Sequence, residues 1–329
     1  MKLSTFAVVM DFRTIVGLPP KQLELVPASH VMMLGSCFAD YIGEKIKTAL
    51  PEGAALVNPF GVLYNPESIR MSIVHLLSGE NMECPELCFK GNDGLWHHWN
   101  FSGICNAPSK ETCLQQVSSR CEEARGLLCK ADVLIVTFSN DHAYCLASGE
   151  NRGRVVANCH KQPAADFNEV VLDFDEQFVL WDALLKELTS FRPTLKVLFT
   201  LSPYRYLKYG LMESQMGKAR LLHLIGKLAS NNTNALYFPT YEIVVDELRD
   251  YRFYERDMLH PSAQTVDYVW ERFQDWCFSS DLVSFSKDKQ ALLRFLSHRP
   301  LHEEHAGAHQ EVCEKRKKEF IAKWNHIIQ

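Results

Sequence analysis

Short apolar runs rich in β-branched and long aliphatic side chains recur along the chain, and a helical pattern separates each run from the next. They are VMMLG at 31–35, AALVN at 54–58, DVLIVTF at 132–138, LKVLFTL at 195–201 and ALYF at 235–238. Unbroken apolarity, rather than alternation, is what a strand covered on both faces requires, and such strands belong to parallel sheets. Amphipathic stretches at 38–50, 66–78, 109–129, 175–190, 212–229 and 262–278 supply the crossovers. The expected fold class is α/β: a three-layer α/β/α sandwich around a mainly parallel five-stranded sheet, flavodoxin-like in layout. Two β-hairpins interrupt the rhythm, one over 87–101 turning at Gly91–Gly94, the other over 142–158 turning near Gly149–Gly153. The division expected is one main domain over 1–280 and a charged, helical C-terminal extension over 281–329 that packs outside the sheet.

Charge and cysteine usage narrow the function classes. Lys plus Arg at 35 against Asp plus Glu at 40 gives a net charge of -5, so no basic field draws in nucleic acid or an acidic membrane, and neither is expected as a partner. No apolar stretch approaches the ~20 residues of a membrane span. The opening MKLSTFAVVMDFRT is broken by Asp11 and Arg13, against a secretory signal, and Met10 is a candidate native start. Eleven cysteines without repeated spacing fit a reducing, cytoplasmic setting better than a disulfide framework.

Metal and cofactor signals are weak. Cys84 and Cys88 lack a second pair of zinc-ligand spacing and read as small buried hydrophobes. His302, His305 and His309 share helical spacing, but Gly307 interrupts them and Glu303 and Glu304 mark a solvated tail, as does the Lys315–Lys318 run. No glycine-rich phosphate loop follows a strand, so no cofactor and no metal are expected.

Two places concentrate chemistry. Ser36 follows the first run and opens a helix in MLGSCFADYIG, at the carboxyl edge where open α/β sheets bind ligands. A serine there is either a plain N-cap or a nucleophile whose own N–H, with that of Cys37, can hold an oxyanion. Cys37 is a second candidate, since a thiolate at a helix start is activated, although one residue into the helix it is expected to turn away into the core. The other place is RDMLHPSAQTVDYVWERF, where Asp257 and His260 share a loop closed by Pro261. Carboxylate and imidazole so placed supply the acid and base of a Ser-His-Asp triad, or form a surface ion pair. Gly61, in NPFG after the second run, is a turn glycine or a close-approach donor.

The strings GSCFA at 35–39, NPFGVLYNPESI at 58–69, NCHK at 158–161, SPYR at 202–205 and YFPTYEIVVDELRDYRFYERDMLHPS at 237–262 resemble those of the GSCFA-domain family, itself similar to the SGNH (GDSL-like) hydrolases. The resemblance implies Ser36 as nucleophile, Asp257 as orienting acid, His260 as base, and an oxyanion hole from Ser36, Gly61 and a third-block asparagine. Asn140 in TFSND is preferred for that asparagine, with Asn158 as rival. The chain departs from the SGNH pattern in lacking a glycine before Asn140 and the aspartate before the serine.

His160 and Arg205 are candidate substrate-binding residues, Arg205 for an anionic group. Of the hairpin cluster Trp96, His97, His98 and Trp99, at least half is expected to be packing. The function expected is a serine esterase acting on a small-molecule or carbohydrate ester through an acyl-enzyme. An O-acyltransferase with the same triad and a catalytically silent binding domain are the alternatives.

Overall fold

A computed structural model describes residues 13–79, 83–297 and 306–328, with side chains in the last segment from 310 to 325. Met10, His302, His305 and the His309 side chain lie outside the described residues. In chain order the strands are β1 Val31–Gly35, β2 Ala55–Val57, β3 Cys88–Lys90, β4 Trp96–His98, β5 Val133–Phe138, β6 His142–Leu146, β7 Val155–Val156, β8 Phe167–Val171, β9 Lys196–Leu201 and β10 Ala235–Tyr237. The helices are α1 Cys37–Ala49, α2 Pro66–Ser78, α3 Lys110–Leu128, α4 Phe174–Phe191, α5 Leu211–Asn231, the single turn α6 Thr240–Glu242, α7 Ala263–Cys277, α8 Ser280–Ser297 and α9 Ala306–Ile328.

The central sheet has the order β10-β9-β5-β1-β2, every pairing parallel. Numbered among the five, this is the 2-1-3-4-5 order of flavodoxin-like folds, whose crevice opens at the carboxyl ends of the first and third strands. Here those strands are β1 and β5.

Period-two alternation splits their side chains between two cores. Val31, Met33, Val133, Ile135, Leu198 and Leu236 pack with α1, α7 and α8, while Met32, Leu34, Leu134, Val136, Val197 and Phe199 pack with α2 to α5. The capping residues explain where helices begin: Asn65 accepts from the Ser68 N–H with Pro66 in the first turn of α2, and Ser109 and Asp173 cap α3 and α4 in the same way.

The first insertion forms the expected antiparallel hairpin β3–β4. The second carries one strand more than expected, because β8 adds to β6 and gives the order β7-β6-β8. β8 is exposed along most of its length and includes Asn168 and Glu169, so it has no apolar run to announce it. The C-terminal helices complete the α1 layer. α8 buries Leu282 and Phe285 in the core of that layer, and the Trp324 ring of α9 meets Phe285 edge-on at 5.3 Å.

Candidate active site

A cavity of about 310 Å³ lies at the carboxyl edge beside the β1/β5 switch point. Cys37, Asn140, Asn158 and His260 border it, with the rings of Tyr64, Tyr144, Tyr204, Tyr206 and Tyr209 forming much of the wall. Residues from α1, the β5–β6 junction, the second insertion and the 257–260 loop therefore meet in one place.

His260 is fixed from one side. Its Nδ1 lies 2.5 Å from Asp257 Oδ2, while Asp257 Oδ1 accepts the backbone N–H groups of Leu259 at 2.8 Å and His260 at 3.0 Å. The hydrogen bond from the His260 ring, followed by those two N–H groups, holds the Asp257 carboxyl down at about 2. With Nδ1 so engaged, Nε2 is left as the proton-accepting nitrogen. The Tyr204 ring packs against the imidazole at 4.5 Å. Pro261 does not open α7; it pairs with Tyr254, and Ser262 is the cap, accepting from the Thr265 N–H at 3.3 Å.

At the end of β1 it is Cys37, and not Ser36, that borders the cavity. Ser36 keeps the extended backbone of the strand (φ -75°, ψ -179°), its side chain is fully buried, and its Oγ has no hydrogen-bond partner among the described residues. The Ser36–His260 hydrogen bond of a serine triad is thus not present, nor does Ser36 border the cavity. Cys37, the first helical residue, is half-buried and does border it. The expectation that Cys37 turns into the core fails because the strand's extended geometry carries through Ser36, so the cavity-facing position comes one residue later. Burial raises the Cys37 thiol, an effect opposed by hydrogen bonds from the backbone N–H groups of Phe38 and of Cys37 itself and by the charge of Lys218.

Gly61 is a correction. Its N–H donates to Asn58 O at 2.8 Å and closes a turn, so it is not a free oxyanion donor. Its φ of +74° and the Ser102 Oγ, 1.8 Å from where a Cβ would stand, account for the glycine. Neither His160 nor Arg205 borders the cavity. His160 is buried, with its ring edge-on to Phe89 at 5.6 Å and Trp99 at 5.8 Å. Arg205 donates from its side chain to Met258 O at 2.9 Å and from its backbone to Leu259 O at 3.2 Å, bracing the loop that carries His260.

Asn140 and Asn158 both border the cavity. The Asn158 side-chain oxygen accepts the His160 N–H at 2.6 Å.

Sequence reasoning missed Asn58, whose Oδ1 accepts the Gly35 N–H at 2.8 Å and whose Nδ2 donates to Asp40 Oδ1 at 2.5 Å. It also missed the tyrosine wall and Lys218; a signal for the wall lay in the spacing of YRYLKY at 204–209. Across the cavity mouth, Lys208 is paired with both carboxylate oxygens of Glu169 at 2.9 Å, and His142 stacks on Tyr209 at 3.7 Å. Among the described residues no group of three or more His, Cys, Asp and Glu side chains could hold a metal ion.

The family model described as the GSCFA family matches residues 30–273, well over half of the chain and spanning both Cys37 and His260. The chain belongs to the GSCFA family. A search of curated proteins finds no match. For this GSCFA protein, no helix among the described residues is long and apolar enough to cross a membrane.

Proposed function

We propose that this GSCFA protein hydrolyses acyl esters of small, neutral, hydroxyl-rich alcohols through a covalent intermediate on Cys37, with His260 as base and Asp257 as orienting acid. The observation that carries the reading is that Cys37 and the Asp257-anchored imidazole border one cavity while the Ser36 hydroxyl is sealed away from it. It keeps the SGNH-like logic of acid, base and nucleophile but moves the nucleophile by one residue.

In the proposed reaction His260 Nε2 takes the Cys37 proton, and the sulfur attacks the ester carbonyl carbon. The imidazolium is stabilised by Asp257, which keeps its own charge. The resulting oxyanion is held by backbone N–H groups at the start of α1 and by the amide of Asn140 or Asn158, such donors being worth about 3–4 kcal/mol each. Collapse breaks the C–O bond, and the alcohol leaves with the proton returned by His260. Water, deprotonated by the same imidazole, then cleaves the thioester and releases the acid.

The cavity is at the small end of ligand pockets, about 300–1,000 Å³. Its tyrosines offer apolar faces and hydroxyl groups together, and Lys208 is already neutralised by Glu169, which favours an uncharged ligand such as a sugar ester. A working thiol, in a chain of eleven cysteines without repeated spacing, suits a reducing cytoplasm.

The test is acid-quenched p-nitrophenyl acetate turnover with peptide mass mapping. The acetyl group is expected on Cys37, retained in Ser36→Ala and lost in Cys37→Ala. Acetylation of Ser36, or no release of nitrophenolate by the folded protein, overturns the reading. With a sugar acceptor present, transfer product exceeding free acetate would replace hydrolysis by acyl transfer.

A further inference from the structure

Among the described residues Lys218, on α5, is the one buried lysine, at 4% exposure. Its Nζ donates to Ser139 O at 2.5 Å and to Ser202 O at 2.7 Å. Those two carbonyls are the first beyond β5 and β9, so the ammonium sits on the carboxyl edge of the sheet rather than in its interior.

Register places it relative to the nucleophile. Gly35 pairs with Thr137, and Thr137 with Thr200, so Cys37, Ser139 and Ser202 each stand two residues past the same rung. Neighbouring strands lie about 4.8 Å apart. Ser139 borders the same cavity as Cys37, so an ammonium held on the Ser139 carbonyl sits directly behind that shared wall.

The charges around Lys218 leave it without a full counter-ion. Asp141, 4% exposed, is the carboxylate whose charge acts on it, and that carboxylate is engaged by Arg220 Nε at 2.5 Å. Gly217 lets α5 rest directly on Asp141, since a Cβ there would be 2.6 Å from its Oδ1. The Tyr206 ring lies 5.5 Å from Nζ, and its hydroxyl is 3.2 Å from Ser139 Oγ. Asp141 from the β5–β6 junction, Cys37 from the start of α1 and Tyr206 from the segment after β9 are thus the titratable groups around Lys218, with Arg220 and Glu213 on its own helix and Asp40 on α1 acting on the thiol.

We propose that Lys218 is the buried counter-ion of the Cys37 thiolate, a positioning residue that sets the charge state of the nucleophile and ties together the strand ends bearing Asn140 and Tyr204. The proposal rests on Cys37 being the nucleophile. Burial lowers Lys218 to about 7, as expected for an ammonium that Asp141 compensates only in part, and a thiolate nearby favours its charged form.

The experiment is the pH dependence of Cys37 alkylation by iodoacetamide, read by peptide mass, with Cys159 in the same cavity wall as internal control. In Lys218→Met the Cys37 midpoint is expected to rise by about 1–2 pH units, slowing its alkylation at neutral pH roughly 10- to 100-fold, while Cys159 holds. Lys218→Arg should keep the wild-type midpoint, and an unmoved midpoint in folded Lys218→Met overturns the proposal.

Should Lys218→Met not fold, the Lys218 13Cε resonance of the wild-type protein decides. Blocking Cys37 with iodoacetamide is expected to shift its titration to lower pH, and identical titrations before and after blocking overturn the assignment. Failure of ester hydrolysis with a Lys218-dependent midpoint sinks the function alone; intact hydrolysis with an unmoved midpoint sinks only this inference.

Discussion

Asn58 Oδ1 accepts the backbone N–H of Gly35 at 2.8 Å, pinning the end of β1 from a loop 23 residues further along the chain. Asn58 holds this pose at φ +46° while its own N–H donates to Met33 O at 2.8 Å. The strand edge that presents Ser36 and Cys37 is therefore set by a side chain on the neighbouring crossover, not by β1 itself.

Asn58→Ala leaves the Gly35 N–H buried without an acceptor, which should lower the unfolding free energy by about 1–3 kcal/mol in urea titration. Asp40, already raised chiefly by burial and held down in part by Asn58, should rise further. Unchanged stability would show that water replaces the amide at no cost.

Asp257 governs a pH-dependent contact. Its carboxyl is depressed to about 2, so the order it gives the loop is fully present above the ordinary value near 4 and is lost as pH falls through about 2. The amide resonances of Leu259 and His260, both donated to Asp257, should move together with that low midpoint. Asp257→Asn should abolish the shared transition and reduce ester kcat/KM by about 10²-fold or more. A midpoint near 4 would mean that the pair does not persist in solution.

Gly61→Ala meets two penalties, a left-handed φ and the Ser102 hydroxyl in the place of its Cβ. A loss of about 2–4 kcal/mol is expected from chemical denaturation. Ser102→Gly added to it should recover the steric share and leave the backbone share, so full recovery would contradict the backbone argument.

Arg205→Ala should slacken the loop behind His260 and lower kcat by up to about 10²-fold through misplacement of the base. Neutral and anionic esters should suffer alike, because the guanidinium faces Met258 O and the rings of Tyr251 and Tyr254. A loss confined to anionic esters would restore the substrate-binding role read from the sequence.

The inner strands β1, β5 and β9 were legible because they are buried on both faces and carry their signal in nearly every residue, and the short edge strands β2 and β10 because their few residues are still apolar. β8 was not, since an exposed strand held by backbone pairing to β6 needs no apolar side chains. The Asp257–His260 spacing was readable because both lie in one short loop. Which of Ser36 and Cys37 reaches the cavity was not readable, because that depends on where extended backbone gives way to helix, a boundary no side-chain pattern marks to one residue. Lys218 was invisible for a related reason: on α5 it looks like any amphipathic-helix cation until the strand ends beneath it are in place.

The inserted strands β6 to β8 leave the central sheet after Phe138 and return before α4, and with their loops they furnish Tyr144, Asn158 and Cys159 to the cavity wall. Cys37 and His260 come from outside that segment. One side of the wall is thus carried on a separable length of polypeptide, and exchanging residues 142–171 for another insertion would reshape that side while leaving Cys37, His260, Tyr64, Tyr204, Tyr206 and Tyr209 in their own elements.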